Sequence, residues 1–281
     1  MSATTSIAGT AEFVGPVRQL WQTLTMTRRT KTKRSMAYLI NVIRIPLGPL
    51  AIFITSYLAY AIAGREAVAG IDIAGFLLIG MLGHITVTAA VWEGGSAIEE
   101  ERFEGTIAAL FLTPASRIAV LAGHGLSGLV FLLPSFVVVA LIGVVVGADL
   151  EVGSWLATLL AGVTLLVACL SLGFFLSAFF ILTRRANLMA NVIQHPIYLL
   201  SGTIIPRQEL PGWLHPISDA IPVAHGIDAL REATLTGGSL SAIGPALIVA
   251  LVTSLVCAAL GAFGIRKVEH AAKRSGQLDL F

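Results

Sequence analysis

The polar residues that could act chemically lie in two places along an otherwise apolar chain. One is a charged stretch, EEERFEGTIAALFLTPASR (Glu99–Arg117), which holds four of the sixteen acidic residues. The other is a set of ionisable and amide side chains inside apolar runs. Its members are His84, Glu93, Asn191, Gln194 and His195. Inside a membrane such groups are costly and usually face a bundle interior or an aqueous path, so their meaning depends on where the apolar runs lie.

The sequence carries no local signature of an enzyme centre. No GxxxxGK[ST] phosphate loop, HExxH, CxxC or GxSxG occurs in it. Cys169 and Cys257 both lie in apolar runs, which favours packing roles over a disulfide or a zinc site. We therefore predict that the chain is not an enzyme and has no catalytic residue, metal or cofactor of its own. Any fuel would be used by another chain or supplied by an ion gradient.

The composition is that of a membrane protein. Hydrophobic residues make up 56% and charged residues 12% of the 281 residues, and the mean hydropathy is +0.87. A soluble domain carries roughly 25% charged residues. The net charge of +2 indicates no nucleic-acid partner. These values predict an all-α integral membrane protein.

Six apolar runs approach the length of about 20 residues that a transmembrane helix needs. Fifteen of the eighteen Lys and Arg residues fall on the side that holds both termini. The positive-inside rule places that side in the cytoplasm, together with the stretch 99–117. The chain is thus predicted to be a multi-pass protein of the plasma (inner) membrane. The predicted spans are Val42–Ala63, Ile73–Ile98, Ile118–Gly147, Trp155–Thr183, Leu188–Ile205 and Ile243–Ile265.

The regions outside the spans have patterns of their own. In the cytoplasmic tail 1–35, apolar residues fall on one helical face ahead of a basic cluster, which predicts an amphipathic helix in the membrane interface. The alternative is a soluble helix packed on a partner. The face consists of Phe13, Val17, Leu20, Trp21 and Leu24. The remaining domains are the transmembrane region 36–265 and the cytoplasmic tail 266–281.

The segment 206–242, between the fifth and sixth spans, does not read as an ordinary loop. Four prolines divide it into apolar pieces that are too short to span. We predict short broken or re-entrant helices on the outer side, which are tolerated where protein or a water-filled cavity covers them. The alternative is an amphipathic outer loop with no role in transport.

Two motifs carry a resemblance to a known family. ERFEGTIAALFLTP (101–114) is similar to the R-x-x-G-T-x-x-x-L-x-x-T-P segment of the membrane subunits of type-2 ABC exporters. SGTIIPRQELPGWL (201–214), continued by Pro222 and by ALR (229–231), resembles their S-G-x-x-x-P…L-P-x-W…P…A-L-R signature. The resemblance covers nearly the whole chain.

The resemblance implies an ATP-driven exporter of two permease chains, as a homodimer or heterodimer, and two cytoplasmic ATPase chains that bind ATP and Mg. The loop after span two would be a coupling helix on the ATPase, and the N-terminal helix would be its elbow helix. Within the loop, Ile107, Leu110 and Phe111 share one face and Pro114 ends the helix. The coupling residues are Glu101, Arg102, Glu104, Gly105, Thr106, Ile107, Leu110, Phe111 and Pro114. The outer motif residues are Gly202, Pro206, Pro211, Trp213, Pro222 and Arg231.

An exporter of this type would move an amphipathic, drug-like, lipid or glycan-lipid substrate out of the cytoplasm or inner leaflet, with membrane lipid as a further partner. The intramembrane polar residues His84, Glu93, Asn191, Gln194 and His195 are the predicted translocation path. His84 and Glu93 are nine positions apart, so they point to opposite faces of a straight helix.

Two other functions fit parts of the sequence. One is a gradient-driven or passive transporter without an ATPase, which would normally show paired intramembrane carboxylates or an internal repeat. Glu93 is the only carboxylate well inside an apolar run, and the two halves of the chain show no repeat. The other is a membrane anchor for a cytosolic complex.

Overall fold

The secondary structure is mostly helical. The computed structural model describes residues 35–65, 67–68, 70–95, 117–181 and 186–275. Helix α2 continues without a break into a π-helical segment, Ala89–Gly95. Two 3₁₀ turns, Arg207–Glu209 and Gly212–Leu214, follow α5. The α-helices are α1 (Ser35–Ile62), α2 (Ile73–Thr88), α3 (Arg117–Val146), α4 (Trp155–Ile181), α5 (Ala186–Leu200), α6 (His215–Asp219), α7 (Pro222–Leu235) and α8 (Leu240–Ser275).

A short antiparallel hairpin connects α1 to α2. Its strands are β1 (Ala67–Val68) and β2 (Ile71–Asp72), with Ala67 opposite Asp72. Asp72 is also the N-cap of α2, because its carboxylate accepts hydrogen bonds from the backbone N–H groups of Ala74 at 2.8 Å and Gly75 at 2.7 Å. The hairpin therefore fixes the point where α2 begins.

Four of the described helical stretches are long and apolar enough to cross a membrane. They are Ile73–Gly95, Gly123–Val146, Trp155–Phe180 and Leu240–Lys267. The apolar part of α1, Leu47–Ile62, is shorter. With 15 residues α5 is about 22 Å long, less than the roughly 30 Å of a bilayer core. An integral membrane protein is confirmed, whereas the six-span count stays a prediction.

The helix boundaries differ from the predicted spans mainly at α1, α5 and α8, and α1 already includes Ser35, seven residues before the predicted start at Val42. The run predicted to end at Ile205 stops being helical at Leu200, because Gly202 adopts a left-handed φ of 73°. The last helix continues ten residues beyond the predicted end at Ile265, to Ser275. Its final turns are rich in Lys, Arg, Glu and Ala, which favour helix but not the membrane interior.

Helix α2 forms the centre of the packing. Fourteen of its sixteen residues are buried, and α1, α3, α4, α5 and α7 all contact it. By contrast, α3, α4 and α8 expose large apolar side chains along their length, such as Val145 at 86% and Leu255 at 71%. Continuous apolar surface of this kind marks the face that contacts lipid.

Small residues allow α4 to approach the π-helical segment closely. A Cβ atom on Gly173 would lie 2.9 Å from the Ala90 carbonyl oxygen and 3.2 Å from the Gly94 Cα. The Ser177 hydroxyl donates to the Gly94 carbonyl at 2.5 Å, and the Cys169 thiol donates to the Thr86 carbonyl at 3.1 Å. Side chains of α4 thus donate one hydrogen bond to a carbonyl of α2 and one to a carbonyl of the π-helical segment. The two bonds lie on either side of the point where the helix changes from α to π.

Candidate functional site

A polar seam joins α2 to α5 inside the bundle. The His84 ring stacks on Tyr198 with 3.8 Å between centroids, and the Thr88 hydroxyl lies 2.7 Å from the Tyr198 hydroxyl. One turn further along, the Trp92 indole Nε1 donates to the Gln194 Oε1 at 2.5 Å. His84, Thr88 and Trp92 are four residues apart, so they share one face of α2. Hydrogen bonds and a ring stack, more than apolar packing, therefore hold α5 against the central helix.

The other side of α5 presents polar groups to the surroundings of the chain. Asn187, Asn191 and His195 recur every fourth residue, and all three are exposed. The Asn191 amide donates to the Asn187 carbonyl at 2.8 Å, and the His195 Nδ1 lies 2.9 Å from the Asn191 carbonyl. Since a carbonyl oxygen only accepts, Nδ1 donates in that bond. Polar groups of this kind are costly against lipid, so this face suits water, a substrate or a second polar protein surface.

The predicted path residues do not all meet. His84 and Gln194 lie on the α2–α5 seam, whereas Asn191 and His195 belong to the exposed face of α5, where the His195 ring also lies edge-on to Tyr198 at 6.2 Å between centroids. Glu93 instead faces α3, where its side chain packs against Gly128 so closely that a Cβ atom there would overlap it. The Glu93 side chain therefore packs on α3 and not on the α2–α5 seam.

The outer segment is organised around Arg207. Its Nε donates to the Ser218 hydroxyl at 2.7 Å, and its terminal nitrogens donate to Asp219 and, at 2.5 Å, to Asp228. Ser218 in turn donates to the Leu200 carbonyl at the end of α5 at 2.7 Å. One guanidinium thus ties together the end of α5, α6 and α7. Charge-assisted hydrogen bonds of this kind are stronger than neutral ones.

Arg231 on α7 is a second, more deeply buried cation. Only 6% of it is exposed, and its guanidinium carbon lies 3.8 Å from the centroid of the Phe76 ring. Its NH2 donates to the carbonyls of Phe76 at 3.2 Å and Thr203 at 3.3 Å. An arginine guanidinium stays protonated in proteins, so Arg231 is a buried cation. Arg231 therefore joins α7, α2 and the turn after α5.

The turn that Arg231 holds lies beside the middle of α2, well away from the N-terminal end of that helix. Thr203 contacts Gly80, eight residues or about 12 Å along α2 from its cap at Asp72. Further into the bundle, Ile227 packs on Gly83 and Gly226 packs on Leu165 of α4. The segment after α5 therefore runs beside the middle of the central helix, and α7 then returns toward the N-terminal end of α2.

The six predicted outer motif residues have different roles in this arrangement. Gly202 supplies the left-handed turn, and Pro206, Pro211 and Pro222 stand before or at the first residue of a short helix, where a missing N–H costs little. Arg231 is buried, whereas Trp213 is 72% exposed, as expected for an aromatic residue at a membrane interface. The structure therefore brings Gly202 and Arg231 together and leaves Trp213 apart.

Gly80→Ala is expected to destabilise the protein by about 2 kcal/mol, because the new Cβ would overlap the Thr203 carbonyl oxygen, a backbone atom with little freedom to move. Gly162→Ala on α4 is the matched control, since no atom lies within 4 Å of its Cβ position. There the change should stabilise the helix by up to about 1 kcal/mol. Thermal unfolding in detergent measures both variants, and equal stability of the two would contradict the close contact.

The predicted coupling and elbow residues lie outside the described residues. The first group comprises Glu101, Arg102, Glu104, Gly105, Thr106, Ile107, Leu110, Phe111 and Pro114, and the second Phe13, Val17, Leu20, Trp21 and Leu24. Both assignments stay predictions.

Four residues of the site were not predicted from the sequence: Thr88, Trp92, Tyr198 and Arg207. Thr88 and Trp92 could have been found by counting four and eight residues from His84 along one helical face. The role of Arg207 could not be predicted, because nothing local indicates that Asp219 and Asp228, on two later helices, converge on it.

Comparisons with known proteins agree on one family. The model of the family described as ABC-2 type transporter matches residues 19–235. ABC transporter G family member 20 of Dictyostelium discoideum is 28% identical over 163 residues, which cover 58% of this chain and 22% of that protein. The daunorubicin resistance ABC transporter permease protein DrrB1 of Streptomyces coeruleorubidus is 23% identical over 197 residues, 69% of this chain and 67% of that protein.

A third relative is the inner membrane transport permease YhhJ of Escherichia coli. It is 29% identical over 165 residues, which cover 58% of this chain and 43% of the relative. The chain thus spans less than half the length of two of these three relatives. The family match itself covers more than three quarters of the chain and confirms the resemblance of its motifs. The chain belongs to the ABC-2 type transporter family.

Proposed function

We propose that the chain is the permease subunit of an ATP-driven ABC exporter that moves an amphipathic substrate out of the cytoplasm or inner leaflet. The observation that carries the proposal is the exposed polar face of α5 in a chain of this family. Its Asn187, Asn191 and His195 offer hydrogen-bonding groups where the neighbouring helices expose apolar side chains. Such a face serves a substrate path better than a lipid contact.

The path is completed by a second permease chain. Two copies that meet along α5 would enclose their polar faces between them and leave the apolar surfaces of α3, α4 and α8 in the lipid. A cleft with apolar walls and a few fixed polar groups suits a drug-like, lipid or glycan-lipid molecule with a small polar part. The outer segment held by Arg207 and Arg231 would close the outer end of this path.

Energy would come from separate cytoplasmic ATPase subunits, two per complex, that bind ATP and Mg. The coupling segment 99–117 would seat on the ATPase through Ile107, Leu110 and Phe111, and the helix that contains Trp21 would lie in the inner interface. The excess of Lys and Arg on the side of both termini supports this orientation. Names of two relatives, a drug-resistance permease and an inner membrane transport permease, agree with an export role in a plasma membrane.

We expect the double change Asn191→Leu/His195→Leu to slow transport about thirtyfold, since each of the two lost hydrogen bonds to a bound substrate is worth about 1 kcal/mol. The probes are daunorubicin and a fluorescent phospholipid, followed in vesicles that contain the full complex. Val192→Leu is the matched control, because Val192 is 58% exposed on the same helix but lies outside the polar row. Equal rates for the double variant and the control would overturn the assignment of this face.

A further inference from the structure

A half-enclosed cavity of about 300 Å³ lies on the opposite side of α2 from the polar seam. It is bounded by the π-helical segment, α3, α4 and α8, and no residue of α5 lines it. The space exists because small residues dominate its walls. Six of the eleven lining residues are glycine or alanine: Ala89, Ala90, Gly94, Gly125, Gly173 and Ala258.

The side chains of the walls offer water no free hydrogen-bond donor. Their two side-chain donors are already used, since the Cys169 thiol donates to the Thr86 carbonyl and the Ser171 hydroxyl donates to the Ala168 carbonyl at 2.9 Å. An apolar cavity of about half this volume stays dry and takes benzene or xenon. The cavity beside the π-helical segment therefore favours an apolar occupant.

The open side of the cavity lies on the lipid-facing surface. Val167, one of its lining residues, is 40% exposed. Exposed apolar side chains stand next to or within one turn of other lining residues on three helices: Leu126 on α3, Leu166 on α4 and Leu255 on α8. All three helices contain stretches that can cross a membrane. The medium at the opening is therefore the hydrocarbon of the bilayer.

We propose that this cavity is a binding site for an acyl chain of a bilayer phospholipid. The chain would insert between α4 and α8 and pack against Ala89, Ala90 and Gly94 of the π-helical segment. It would supply van der Waals contacts that the small glycine and alanine residues of the walls cannot make with one another. This site is separate from the polar face of α5, and its occupant supports the segment of α2 that leads directly into residues 96–116.

The test uses the full chain in phosphatidylcholine vesicles that contain a small fraction of phosphatidylcholine with a diazirine in one acyl chain. After photolysis, mass spectrometry maps the adducts along the chain. We expect residues 167–174 to be labelled more strongly than residues 248–252, four of which are exposed apolar side chains and none of which lines this cavity. Ala258→Phe places a ring in the cavity and should reduce labelling of 167–174 about tenfold, the equivalent of about 1.4 kcal/mol of binding free energy.

Ala259→Phe is the matched control, because Ala259 is exposed on the same helix and does not line the cavity. It should leave labelling of 167–174 unchanged. Val167→Phe closes the cavity from α4 and replaces Ala258→Phe if that variant does not fold. Labelling of 167–174 no stronger than of 248–252, or equal labelling in the filled and control variants, would overturn the proposal. Labelling by a free apolar diazirine but not by the phospholipid would also overturn it and indicate a small-molecule site.

Discussion

Arg231→Met is expected to destabilise the protein by about 3 kcal/mol and to loosen the turn after α5. Methionine fills similar space but removes the cation over the Phe76 ring and the hydrogen bonds to the Phe76 and Thr203 carbonyls. A desolvated cation–π contact is worth about 2 kcal/mol, and a hydrogen bond from a charged group about 1.5–3 kcal/mol. Part of this loss is offset, because methionine has no charge whose burial costs free energy.

Two further variants separate the shape of the side chain from its charge. Arg231→Lys keeps a cation but loses the planar guanidinium, which stacks on the Phe76 ring while it donates to the two carbonyls. Most of the destabilisation should therefore remain. Glu232→Gln changes the exposed neighbour and should have little effect. Thermal unfolding and proteolysis of the segment 201–221 measure the outcome. Wild-type stability in Arg231→Met would show that Arg231 does not hold the outer segment.

Leu110→Asp is expected to abolish ATP-driven transport while the chain still inserts in the membrane. Leu110 lies on the predicted docking face with Ile107 and Phe111, and a charge in the centre of an apolar interface removes a hot spot worth 2 kcal/mol or more, roughly a thirtyfold loss of affinity for the ATPase. Leu112→Asp is the same chemical change on the other side of the predicted helix and should be tolerated.

The measurements for this pair are co-purification of the ATPase subunit and substrate-stimulated ATP hydrolysis. Gly105→Pro and Glu104→Arg, at the start of the same helix, should likewise uncouple ATP hydrolysis from transport. Equal loss in Leu110→Asp and Leu112→Asp would show that the segment does not dock through one face. Normal coupled transport in Gly105→Pro and Glu104→Arg would remove the coupling assignment.

The membrane helices could be predicted closely because hydropathy is a local property of the chain. The starts at Ile73 and Trp155 agree with the structure, and α3 begins one residue before the predicted Ile118. The end of α5 was predicted five residues too late, because apolar residues continue to Ile205 although Gly202 breaks the helix. Four prolines did indicate the broken outer segment, since each restricts the backbone where it stands.

The contacts within the candidate site could not be predicted in the same way. The Arg231 guanidinium meets a carbonyl 155 positions earlier, at Phe76, and Tyr198 meets Thr88 across 110 positions. Such contacts depend on how α2, α5 and α7 pack. The separation of Glu93 from the α2–α5 seam depends in the same way on α3, whose Gly128 admits the Glu93 side chain.

The dependence of transport on a separate ATPase is the most direct test of the proposed function. The measurement is uptake of daunorubicin and of fluorescent phospholipid probes by inside-out vesicles that contain this chain with or without its ATPase subunit, and with or without ATP and Mg. Uptake only when the ATPase, ATP and Mg are all present is the predicted result. Full transport by this chain alone in vesicles without ATP would contradict it and indicate a gradient-driven or passive transporter.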